Sequence, residues 1–62
     1  MYKIVRHYLH HGRKRVIRKG LTLQEAQAHC NDPETAYNTC SSAIAKRRTK
    51  RYGPWFDGYY QM

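Results

Sequence analysis

The sequence predicts an α+β domain: a three-stranded antiparallel sheet with a helix packed on one face. Three observations predict it. Two β-rich runs flank Gly12, a capping box at Thr22 and Glu25 opens a helix directly after them, and an aromatic run occupies residues 55–60. The 62 residues make a single domain, 1–62, because a chain of this length supports only one core.

Tyr2 to His10 is rich in β-branched and aromatic residues and has no helix cap before it, so it reads as a strand. His11-Gly12-Arg13 is a turn, and Lys14 to Lys19 is a second strand that Gly20 closes. Together they form an antiparallel hairpin. Strand alternation puts Ile4 and Tyr8 on one face, and with Ile17 they are expected to receive the helix, with Tyr2 at the edge. Lys14, Val16 and Arg18 are expected on the outer side.

Thr22 and Glu25 have the spacing of a capping box, in which each side chain bonds the other residue's amide. Leu21 can pack on Ala26 as a hydrophobic staple, and Leu23, Ala26 and Cys30 follow at helical spacing as a narrow apolar stripe. Pro33 biases Asp32 away from helical angles and ends the helix. Asn31 to Cys40 reads as a polar connector with one short turn at 33–36. Ser41 to Arg51 reads as a second helix capped by a serine or Thr39, with its late positive charge suited to the helix dipole. Tyr52-Gly53-Pro54 breaks it, and Trp55 to Tyr60 forms the third strand. An alternative for Asp57-Gly58 is a tight corner within that run. Trp55 and Phe56 are both expected in the core, since a domain this small depends on its aromatics for buried area.

Charge is the main functional signal. Twelve Lys and Arg against four Asp and Glu give a net charge of +8. Five of the seven residues from Arg13 to Lys19 are basic, as are five of the six from Lys46 to Arg51, and no Lys or Arg stands between Gly20 and Ala45. Two dense clusters around a neutral-to-acidic middle are the footprint of a polyanion binder. The expected phosphate contacts are Arg13, Lys14, Arg15, Arg18 and Lys19 on the hairpin, and Lys46, Arg47, Arg48, Lys50 and Arg51 on the second segment. Tyr52, Tyr59 and Tyr60 are candidates for stacking on bases. The partner favoured is nucleic acid, DNA over RNA. The competing reading is a module that docks on a host protein through an acidic surface.

Other chemistry finds little support in the residues. The histidines and cysteines (His7, His10, His11, His29, Cys30, Cys40) lack metal-ligand spacing, so neither metal nor cofactor is expected. Cys30 and Cys40 are expected as free thiols, a disulfide between them being the lesser alternative. No nucleophile–base set can be assembled from spacing, so the chain reads as non-enzymatic. No apolar run approaches the ~20 residues of a membrane-spanning helix. The opening residues do not resemble a signal peptide, which predicts an intracellular, soluble protein. Exposed sheet edges leave monomer and dimer both open.

The blocks Arg18-Lys19-Gly20-Leu21-Thr22-Leu23-Gln24-Glu25-Ala26-Gln27-Ala28-His29-Cys30, Asp32-Pro33-Glu34-Thr35 and Gly53-Pro54-Trp55-Phe56-Asp57-Gly58-Tyr59, with the basic run between the last two, resemble a family of very short proteins encoded by bacteriophages of actinobacteria. The resemblance spans nearly the whole chain. It implies a phage protein that acts in the cytoplasm of a bacterial host, and it transfers no catalytic or binding residue.

Overall fold

The computed structural model describes residues 1–62. In chain order the elements are β1 (Tyr2–Tyr8), β2 (Arg13–Leu21), α1 (Leu23–Asn31), a 3-10 turn (Pro33–Thr35), α2 (Ala43–Tyr52) and β3 (Trp55–Gln61). The strands form one antiparallel sheet in the order β2-β1-β3, so the first strand is central. Both helices lie on one face. The Cα atoms span 32 × 23 × 14 Å, the thinness of a two-layer structure.

Local chemistry explains the first half. Thr22 Oγ1 accepts from the Glu25 amide at 3.1 Å, and the Thr22 amide donates to Glu25 Oε1 at 3.1 Å, completing the capping box. Leu21 and Ala26 are buried with Ile4, and Tyr2, Ile17 and Cys30 pack around them. The face that α1 turns to the sheet differs from the expected stripe in one residue. Leu23 is exposed, and His29 faces the sheet, where Nε2 meets Asp57 Oδ2 at 3.1 Å.

Two irregularities in β2 correct the assignment of faces. The register against β1 slips by one residue between Ile4 and Val5 and again between Tyr2 and Ile4. The first slip inserts Ile17 between Val16 and Arg18. A bulge aims neighbouring residues to the same side, so Ile17 joins the core while Arg18 sits opposite Ile4. Arg18 is therefore on the helix side; Lys14 and Val16 keep their expected outer places. The second slip falls at Gly20, whose φ of 67° is left-handed.

β3 runs straight through Asp57 and Gly58, so these residues are strand interior and no corner forms. Trp55 is fully buried beneath α2, but Phe56 is 38% exposed. Adjacent strand residues point to opposite faces, and only one face of this sheet is covered. The connector after α1 is tied to the edge of β3, where Ala36 bridges Phe56 and the Tyr37 amide donates to the Trp55 carbonyl at 3.0 Å.

α2 begins at Ser42, whose side chain accepts from the Ala45 amide at 3.2 Å. Its one large aliphatic residue, Ile44, is 70% exposed. The helix packs through smaller and polar groups instead. Ala45 is buried, Trp55 Nε1 donates to Thr49 Oγ1 at 2.9 Å, and the Arg48 guanidinium lies 4.7 Å from the Trp55 ring centroid. Tyr52 ends the helix against Tyr8, with ring centroids 5.3 Å apart. Gly53 caps it at φ 79°, and a Cβ there would stand 2.6 Å from His10 Nδ1. The end of α2 is thus seated against the hairpin loop, and the Leu9 amide donates to the Pro54 carbonyl beside it at 2.9 Å.

Candidate nucleic-acid interface

The two basic clusters, about thirty residues apart in sequence, meet at one place. Arg13 pairs with Tyr8 and Arg15 with Arg6 in the β1–β2 ladder, so both point to the helix-covered side. Arg51 and Tyr52 arrive from the last turn of α2. With Tyr8, Lys14 and His11 they line an open groove of about 620 Å³. No carboxylate lines it. The Arg51 guanidinium lies 5.3 Å from the Tyr52 ring centroid, which places a cation beside an aromatic face at its wall.

The remaining sequence candidates are distributed differently. Arg18 and Lys19 are exposed further along β2, outside the groove. Lys46, Arg47 and Lys50 are exposed on α2, also outside its lining. Arg48 is half-buried over Trp55, where it packs the helix onto the sheet. The three tyrosines do not share a surface. Tyr52 belongs to the groove. Tyr59 lies by α1, its hydroxyl accepting from Gln27 Nε2 at 3.4 Å and its ring 6.1 Å from that of Tyr2. Tyr60 is on the uncovered face of the sheet.

A buried ionic cluster that sequence reasoning missed fixes the middle of the covered face. Asp57, its side chain wholly buried, accepts from Arg6 Nε at 2.7 Å and Arg6 Nη2 at 3.0 Å, and also pairs with His29. Burial alone would lower the Arg6 pKa, but hydrogen bonds and charge from Asp57 outweigh it and raise the value. The only sequence signal for the cluster is a charged residue at an inward position on each of two strands, visible once β1 and β3 are placed in register. Burial first, then the charge of Asp57, raises the pKa of the Cys30 thiol, which keeps it protonated at neutral pH. Both cysteines are free, and no three His, Cys, Asp or Glu side chains gather where one metal ion could be held.

A second anion-free surface lies on the opposite side. The uncovered face of the sheet carries Lys3, Val5 and His7 from β1, Lys14 and Val16 from β2, and Tyr60 and Gln61 from β3 around a shallow depression of about 460 Å³. Phe56 adjoins it through His7, whose ring stacks on it at 4.8 Å and 18°. No helix in the chain is long and apolar enough to cross a membrane. Comparisons with protein-family models, curated proteins and solved structures find no match to this chain.

Proposed function

We propose that this chain is a non-enzymatic module that binds nucleic acid through its phosphate backbone in the groove between the hairpin and the end of α2. The observation that carries this reading is the convergence of Arg13 and Arg15 with Arg51 and Tyr52 around a cavity free of carboxylates. Guanidinium groups fork onto phosphate oxygens, and several on one concave wall can follow a backbone. An acidic protein surface would be drawn by the same charge. The closely set guanidinium groups favour nucleic acid, whose phosphates recur at short intervals along the backbone. Following the resemblance to phage proteins, we place this binding in the cytoplasm of a bacterial host.

Fluorescence anisotropy with labelled random-sequence duplex DNA tests the reading. Binding should be clear at ~50 mM salt and fall steeply by ~200 mM, as counterion release requires. Replacing Arg13 and Arg51 by alanine together should weaken binding at every salt concentration and make its salt dependence shallower. Absence of binding by the unmodified chain at ~50 mM salt would refute it.

A further inference from the structure

The uncovered sheet face has a construction that the groove does not explain. Three rings sit on it, with His7 in contact with each of the other two. His7 stacks on Phe56, and Tyr60 meets His7 edge-on at 5.8 Å with its hydroxyl 2.9 Å from His7 Nε2. Tyr60 reaches that position by lying back over Gly58. A Cβ at Gly58 would touch the Tyr60 hydroxyl at 3.3 Å and Cε2 at 3.4 Å, so the missing side chain is what lets the ring lie along the sheet. Phe56 is 38% exposed and Tyr60 45%, although a chain this small has few aromatics to spare from its core. Lys3 and Lys14 flank the rings, and by strand alternation no Asp or Glu points to this face, Asp57 being buried on the other. Lys14 also lines the Arg13–Arg51 groove, so positive charge continues from one surface to the other around β2.

We propose that this face is a stacking bed for a single DNA strand, with bases on Phe56 and Tyr60 and phosphates on Lys3 and Lys14; the proposal rests on the nucleic-acid reading of the groove. Exposed rings on an open sheet, flanked by ammonium groups, suit unpaired bases, because every base has a stackable face and the backbone needs only charge. Duplex DNA, whose bases are already stacked on one another, gains nothing from such rings. His7 Nε2 and the Tyr60 hydroxyl are bonded to each other, so the two polar groups among the rings already serve one another. Stacking and charge are the bed's means of holding a strand, and neither calls on a ribose 2′-hydroxyl.

The test compares a labelled single-stranded oligonucleotide of about 12 nucleotides, within the usual site size, with a duplex of the same sequence and an RNA of that sequence. The double variant Phe56→Leu, Tyr60→Leu should lose at least tenfold in affinity for the single strand and stay within twofold for the duplex. Arg13→Ala with Arg51→Ala should weaken both. If the leucine variant binds the single strand as the parent does, the stacking bed is overturned while the groove reading stands. If the parent binds neither oligonucleotide, both fail. RNA bound tenfold more tightly than DNA overturns the choice of DNA. A second measurement needs no variant: light-driven crosslinking of the unmodified chain to an iodouracil-substituted single strand should form adducts at Phe56, Tyr60 or His7. Adducts confined to Tyr8 and Tyr52 overturn the proposal.

Discussion

Arg6 and Asp57 stand directly opposite each other on β1 and β3 and are joined by two parallel hydrogen bonds of 2.7 and 3.0 Å under the helix layer. Arg15 is the β2 neighbour of Arg6, so a row of two cations and one anion crosses the sheet. Like charges opposed across strands repel, and Asp57 offsets that repulsion on the buried side. His29 adds a third group from α1, so one carboxylate fastens two strands and a helix.

Asp57→Asn should therefore be severe. Removing one partner of a buried ion pair typically costs about 3–5 kcal/mol, comparable with the whole stability of a domain this small. Thermal unfolding followed by circular dichroism checks it. A drop in Tm of less than about 4 °C, the shift expected from only about 1 kcal/mol, would show that Asp57 holds little.

Arg47 and Arg48 are neighbours in sequence with unequal expected effects. Arg48→Gln should lower stability by about 1 kcal/mol by removing a guanidinium from the Trp55 ring. Arg47→Gln, an exposed change, should leave stability within about 0.5 kcal/mol. Equal melting temperatures for the two variants would mean that Arg48 does not pack α2.

The start of α2 should respond to acid. Glu34 takes hydrogen bonds from the Ser41 and Ser42 amides and the Ser41 hydroxyl, each at 2.8 Å, and these depress its pKa from 4.5 to about 2. A pKa depressed by folding means that the carboxylate stabilises the folded chain. Its contribution is complete above pH 4.5 and is lost as pH falls through about 2. Glu34→Gln should melt below the parent at neutral pH, and the gap should close across that interval. A gap that persists at pH 2 would point to shape instead of charge.

Thr22→Ala removes half of the capping box and should cost about 0.5–2 kcal/mol. Helicity and Tm report it together, and an unchanged Tm would mean that α1 draws its start from packing alone.

The order of the elements was legible because its signals are local. Thr22 and Glu25 are three residues apart, and the alternation of Ile4, Val5, Val16 and Ile17 belongs to adjacent strands. What stayed hidden depends on partners far along the chain. Asp57 bonds residues 28 and 51 positions away, so nothing near it in sequence distinguishes it from a surface acid. Phe56 resembles Trp55 in composition, and only the side on which the helices lie separates them. The charge clusters of the candidate site were legible as runs, but which of their residues meet was not. Arg51 reaches Arg13 because Thr49 and Arg48 seat α2 on Trp55, a choice of helix face that the one large aliphatic residue of the segment, Ile44, does not signal, since it is 70% exposed.

The His10 ring fills the space beside Gly53, and a backbone hydrogen bond between Leu9 and Pro54 pins the same junction. Gly53 directly follows Tyr52, and His10 lies in the loop that leads to Arg13. The junction thus acts as a calliper between the two walls that carry Arg13 and Arg51, whose separation follows from the chain's own packing. On the proposed reading, that separation, and not the ligand, decides which phosphate spacing the opening suits.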